Sequence, residues 1–237
     1  MDESLFEKQN GNFANTVLGA VPSVVYNEDC VEGLKRFSDN YFDLAIVDPP
    51  YGLGMGASLN VNSKTNFIDK AWDKEIPKDE YFEQLFRVSK NQIVWGGNYF
   101  PYLWKTGCKA FICWNKLNHH DKRADIEMAW TSFNKLAKYA EYMWDGNRYG
   151  TKGNIQGVGK PTIRIHPTEK PVYLYEWILK EYAEQGNLIL DTHLGSGSIR
   201  IACQKMGFDF TGFEIDKDYY EAQEKRFKDF VSQLRMF

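Results

Sequence analysis

Two stretches of the chain put acids, glycines and an aromatic ring at spacings that could do chemistry. The first is LAIVDPPYG, residues 44–52, an apolar run that stops at Asp48 and continues into Pro49, Pro50 and Tyr51. Asp48 offers acceptor oxygens, and Tyr51 an aromatic face that could meet something planar. The prolines lack backbone donors and hold the residues before them extended, so acid and ring sit on a stiff elbow. The second stretch is LILDTHLGSGS, residues 188–198, which runs from Asp191 through Gly195 and Gly197 towards a helix. Glycines there let backbone N–H groups approach a ligand closely, and the helix N-terminus favours an anionic group. Glu214, nineteen residues beyond Gly195, falls where an acid accepts hydrogen bonds from ribose hydroxyls in doubly wound folds. A dinucleotide fingerprint needs a third spaced glycine, and position 200 is Arg, so the pattern fits a nucleoside cofactor without a pyrophosphate. Each feature also has a plainer reading: a tight turn for the glycines, a turn cap for Asp191, an exposed acid for Glu214.

These residues need a scaffold that brings strand ends together. Leu44, Ala45, Ile46 and Val47 have the composition of a strand covered on both faces. From Val21 the pattern reads VVYNEDC as strand, VEGLKRFSD as helix and FDLAIVDPP as strand, then a helix from Lys78 to Lys90 and a strand QIVWGG. KAFICWNK, IEMAWTSF and LAKYAEYMW read as extended. Residues 168–185 read as a helix with Val172, Tyr175, Ile178, Leu179 and Tyr182 on one face and Gly186 as its stop. NLILD is then a strand, GSIRIACQKM a helix ended by Gly207, DFTGFEID a strand, and the chain from Asp216 onward a charged amphipathic helix. This alternation predicts an α/β fold, doubly wound around a mostly parallel sheet, with one antiparallel hairpin near its end. In a parallel sheet the C-terminal strand ends share one edge, so Asp48, Asp191 and Glu214 can line one crevice. Residues 1–20 read as a loose N-terminal arm and 21–237 as a single domain. Two segments are expected to be loops: residues 53–77, rich in Gly, Asn, Ser and Lys, and 145–165, with five glycines.

A chain of 237 residues can bury a sizeable core without disulfides or metals. The start, MDESLFEKQN, is acidic and polar and no apolar stretch nears the length of a membrane span, so the expectation is a cytoplasmic protein with no membrane partner. Cys30, Cys108, Cys113 and Cys203 form no CxxC pair and read as reduced thiols. His119 and His120 beside Asp121 lack further ligands at metal spacing, so no metal is expected. The net charge of −3 is unevenly spread: residues 101–170 hold twelve Lys and Arg against six Asp and Glu. That segment could face phosphates, or simply be a solvated surface.

With DPPY at 48–51, D-x-x-x-G-S-G-S at 191–198, HPTEKP at 166–171 and EDC at 28–30, the chain resembles the S-adenosylmethionine-dependent amino-methyltransferases of DNA. The order of motifs is similar to that of the beta class, in which the catalytic motif precedes the cofactor motif. QIVWGGNYF and DIEMAWTSF are further similar to stretches of phage and prophage members, and the resemblance covers most of the chain from about residue 24. It implies S-adenosylmethionine as cofactor and DNA as partner. Asp191, Gly195, Ser196, Gly197 and Ser198 would surround the methionine part of the cofactor, Glu214 would hold the ribose, and Asp29 with Cys30 would border the adenine. His166, Thr168 and Lys170 would close the carboxylate side, with Asp48 at the junction of cofactor and substrate. Members usually carry Pro and Phe where this chain has Thr192 and His193.

The implied chemistry explains the elbow. An exocyclic amine is a poor nucleophile because its lone pair is delocalised into the ring. The Asp48 carboxylate and the Pro49 carbonyl, aimed at its two N–H bonds, direct that lone pair towards the methyl group, and the prolines fix this geometry in advance. Tyr51 can stack on the base, which must be flipped out of the duplex. Methylation at carbon would need a thiolate, and none of the four cysteines sits in a Pro-Cys elbow. Asp as the first motif residue favours the N6 amine of adenine, with N4 of cytosine the nearest alternative. A catalytically silent DNA-reading subunit and an RNA or protein methyltransferase are the others. Target recognition is expected from residues 53–70 and 115–165, with residues 146–159 a candidate phosphate contact. So small a region implies a specificity that is short or relaxed or that depends on a homodimer; the resemblance further implies a cognate endonuclease in a restriction-modification system as a candidate partner. The rings of Trp95, Tyr99, Phe100, Tyr102 and Trp104 are expected in the core for the most part, with one or two at the base pocket.

Overall fold

Along β2 (Phe42–Val47), side chains alternate between two apolar clusters: Leu44 and Ile46 join one, Ala45 and Val47 the other. A strand with both faces buried in this way must be covered by helices on both sides. The computed structural model describes residues 21–54, 73–105, 107–118, 124–144, 148–151, 154–157 and 165–234. The expected arm at 1–20 and all but the first two residues of the 53–70 loop lie outside them.

Beside β2 the main sheet comprises β1 (Ser23–Tyr26), β3 (Ser89–Trp95), β4 (Ala110–Asn115), β5 (Ile126–Thr131), β6 (Lys138–Glu141), β10 (Leu188–Asp191) and β11 (Asp209–Phe213). Its order is β1-β11-β10-β2-β3-β5-β4-β6. Pairing is parallel from β1 to β3, antiparallel where β5 meets β3 and β4, and parallel again at β6. The expected hairpin is thus β4–β5, near one end of the sheet.

One face is covered by α1 (Cys30–Leu34) and α2 (Asp79–Val88), whose Leu34, Phe82 and Leu85 pack with Ala45, Val47 and Phe213. The other is covered by α4 (Val172–Tyr182) and α5 (Ser198–Met206), whose Ile178, Leu179, Ile199 and Ala202 pack with Leu44, Ile46 and Ile189. The short α3 (Pro101–Trp104) follows β3, and the long α6 (Lys217–Leu234) closes the described chain beside α5. Among the described residues, no helix is long and apolar enough to cross a membrane.

The structure revises several expectations. Residues 145–165 are not only loop: β8 (Arg148–Thr151) and β9 (Asn154–Gly157) pair antiparallel, and with β7 (Met143–Trp144) form a small second sheet. Such short, glycine-containing strands carry no hydrophobic alternation by which to read them. The stretch LAKYAEYMW is split between the two sheets, β6 in one and β7 in the other. The helix expected over 168–185 begins only at Val172, because Pro171 is its extended N-cap (ψ 144°) and keeps Lys170 out of the helix. It ends at Tyr182, and Gly186, in the left-handed region at φ 88°, turns the chain beyond that end. The first strand stops at Tyr26, since Asp29 serves as N-cap of α1, its Oδ1 accepting from the Glu32 N–H at 3.1 Å.

Candidate active site

The C-terminal ends of β2, β10 and β11 open onto one crevice of about 230 Å³. Asp29, Cys30, Asp48 and Pro50 line it together with His166, Thr168, Lys170, Gly195, Ser196 and Glu214. Pro49, Tyr51, Asp191 and Gly197 are not part of this lining but are each next in sequence to a residue that is, and Ser198, also outside it, has its hydroxyl 3.1 Å from that of Ser196.

The elbow after β2 is held by a residue the sequence reading did not single out. Asp73, buried, accepts the backbone N–H groups of Tyr51 and Gly52 on one oxygen, at 2.7 and 3.0 Å. Tyr51 donates its hydroxyl to Asp48 Oδ1 at 2.5 Å and stacks on Tyr99, ring centroids 5.1 Å apart. Gly96, left-handed at φ 66°, leaves the space this needs, since a Cβ there would overlap the Tyr51 ring. Of the expected core stripe, Trp95 and Phe100 are fully buried, whereas Tyr99 beside the elbow and Trp104 remain partly exposed.

Lys170, extended before Pro171, brings its ammonium 2.5 Å from Asp48 Oδ2 and 3.2 Å from Glu127 Oε2. It lies above the Trp95 ring, 5.2 Å from the centroid. Burial alone would lower the lysine's pKa, but Asp48 and Glu127 outweigh it, so the group is held charged above its usual range. Glu127, on β5, is the counterpart: burial would raise its carboxyl, but Lys170 and Lys116 hold it below the usual range. Two cations of the basic 101–170 segment are thus turned inward onto one carboxylate.

The cofactor-type loop is built from backbone geometry. Gly195 at φ 51° and Gly197 at φ 71° both adopt conformations that L side chains avoid. A Cβ on Gly195 would also lie 3.3 Å from the His166 ring. Both oxygens of the buried Glu214 accept backbone N–H groups, from Gly195 at 2.8 Å and Asp216 at 2.9 Å, which ties the β11 tip to the loop. Arg226 of α6 donates to the Ser196 carbonyl at 2.8 Å and pairs with Glu169 at 3.2 Å, so one guanidinium joins the loop to the HPTEKP segment. His166 Nδ1 lies 3.1 Å from the Thr168 hydroxyl.

Asp191 is buried, with its Oδ1 accepting the His193 N–H at 3.0 Å. Burial, with Asp48 and Glu214 nearby, pushes its pKa up to about 8. Cys30 is pushed up to about 12 by burial and the neighbouring Asp29, so it is a thiol and not a nucleophile. The unusual Thr192–His193 pair is accounted for by Tyr81 of α2. The Tyr81 hydroxyl lies 2.7 Å from Thr192 Oγ1, which lies 2.9 Å from His193 Nδ1. Burial holds the His193 imidazole neutral, its pKa down at about 4. Where Pro and Phe would pack by shape, this chain packs by a buried polar chain.

Comparison with known proteins agrees with this geometry. A family model described as DNA methylase, the N6/N4 type, matches residues 114–225, which span the second half of the site but not the elbow. The chain is 25% identical to the type II methyltransferase M.HpaI of Haemophilus parainfluenzae, over 84% of this chain and 72% of that protein. It is also 25% identical to type II methyltransferase M2.DpnII of Streptococcus pneumoniae, over 86% and 88%. Among solved structures, the M1.HpyAVI complex with S-adenosylmethionine superposes with a TM-score of 0.56 at 22% identity, covering 86% of this chain and 98% of that one. The cytosine-N4-specific PvuII DNA methyltransferase gives 0.56 at 13% identity, covering 92% and 96%. The fold is therefore that of the methyltransferases. The family model and the curated relatives the chain resembles are DNA methyltransferases, and one structure with this fold was solved with S-adenosylmethionine.

Proposed function

We propose that this protein transfers a methyl group from S-adenosylmethionine to the N6 amine of an adenine flipped out of DNA. The observation that carries the reading is the meeting of the DPPY elbow and the glycine loop at one crevice, lined by Asp48 and Pro50 together with Gly195, Ser196 and Glu214. The residues fit the cofactor. The side-chain-free approach at Gly195 leaves room at the loop, and Glu214 is anchored with its carboxylate at the lining. When bound, the cofactor supplies an electrophilic methyl group that needs no covalent enzyme intermediate, in keeping with a protonated, buried Cys30.

In this reading Asp48 and the Pro49 carbonyl accept the amine's two hydrogens, and Asp73 fixes the elbow that aims them. Tyr51 and Tyr99 form an aromatic platform for the base, which offsets part of the unstacking cost of flipping. Asp48 or solvent takes the proton released from the methylated amine. The likeness to a cytosine-N4-specific enzyme favours N4 of cytosine as the second reading, because both amines need the same acceptors. The test is transfer of a labelled methyl group to DNA, followed by nucleoside mass spectrometry. N6-methyladenine is expected. N4-methylcytosine would move the reading to its rival, and the absence of label in either base would overturn both.

A further inference from the structure

Both oxygens of Asp48 are already engaged by the protein's own donors, Oδ1 by the Tyr51 hydroxyl and Oδ2 by the Lys170 ammonium, each at 2.5 Å. A carboxylate oxygen can accept more than one donor, as Asp73 Oδ1 does, so an incoming amine either shares an Asp48 oxygen with its present donor or displaces that donor. Moving the buried ammonium off Asp48 would strand a charge away from water unless another carboxylate receives it. Glu127 lies 3.2 Å from that ammonium, and its Oε2 is buried with no aligned hydrogen bond among the described residues. Its other oxygen pairs with Lys116, and ladder pairing of Glu127 with Trp114 fixes its place on β5.

Resting on the methyl-transfer reading above, we propose that Glu127 is a positioning residue that gives Lys170 a second carboxylate, so that the substrate amine can take over Asp48 Oδ2. The ammonium, 5.2 Å from the Trp95 ring centroid, shifts from one acid to the other. No covalent bond is made or broken, and the ammonium keeps its protons. The arrangement also keeps Asp48 neutralised until the base arrives.

The test is a double-mutant cycle on the full chain, with Glu127→Gln, Lys170→Met and the pair, read as methyl transfer to DNA and as cofactor affinity by calorimetry. Glu127→Gln is expected to lower kcat/KM for DNA by about 10- to 100-fold, the scale of a buried charged group left without its partner, with cofactor affinity changed less than about threefold. In the Lys170→Met background the same substitution is expected to cost no more than about twofold, because there is no ammonium left to receive. Equal losses in both backgrounds, or cofactor affinity falling as far as turnover, overturn the proposal. Should the Gln variant not fold, Glu127→Asp, which withdraws the oxygen and keeps the charge, enters the same cycle. A wild-type protein that methylates no DNA would fail the functional reading instead. Melting of the four proteins then decides the pairing on which the proposal depends: coupled shifts support it and additive shifts overturn it.

Discussion

The tips of β2 and β10 each end in an acid, and the two acids are kept in opposite ways. Asp48 receives a cation and a phenol from the protein itself. Asp191, a neighbouring strand away, receives the His193 backbone N–H and, among the described residues, no ion pair. The first tip is neutralised in advance and rigid, as an acceptor for a neutral amine should be. The second is held as the neutral acid near pH 7, because burial disfavours its carboxylate form. On the proposed reading, the difference suits the first tip to the substrate amine and the second to the cofactor.

The sharpest way to break this division is to remove the first acid. Asp48→Ala is expected to lower methyl transfer by about 10³-fold, the scale of losing a preorganised polar contact to the reacting group. Cofactor affinity in the same variant should stay within about threefold. A parallel collapse of both, in transfer assays and calorimetry, would show that the tips do not divide the work. Gly195→Ala probes the other side. A left-handed L residue costs roughly 1–2 kcal/mol, and its Cβ presses on His166, so cofactor affinity should fall about tenfold or more.

Asp191 gives a pH signature. Its pKa is raised from 3.8 to about 8, so its stabilising share is full below pH 3.8 and is lost as pH rises through 8. A cationic cofactor favours the carboxylate. Binding near pH 7 should therefore release up to about one proton and tighten as pH rises towards 8. Calorimetry in buffers of different ionisation enthalpy measures this, and Asp191→Asn should abolish it. The smallest effect is expected from Tyr81→Phe, which removes the hydroxyl at Thr192 and should cost about 1 kcal/mol in denaturant titrations, with activity little changed.

Sequence made the sheet legible because the strands at 44–47 and 188–191 are short apolar runs that end abruptly in acids. The two motif segments were legible for the same reason, since their spacing is local. What escaped is contact between residues distant in the chain. Tyr81 meets Thr192 across 111 positions, and Asp73 reaches back 22 to Tyr51. Glu127 did leave a trace: it is the one charged residue in IEMAWTSF, and a lone acid in an apolar strand asks for a buried cation. The small second sheet left none, because pairing through glycine-bearing strands is set by backbone geometry. The Thr192–His193 departure could be seen in sequence but explained only once Tyr81 was found beside it.

The guanidinium of Arg226 has a reach beyond its own helix. Because it grips both the Ser196 carbonyl and Glu169, α6 serves as the outer buttress of the glycine loop although it contributes only Tyr219 to the crevice lining. Ligand binding and the anchorage of this last helix are thermodynamically linked. A loaded crevice would slow amide exchange in α6, and whatever loosens α6 would weaken retention of the ligand at the far side of the loop.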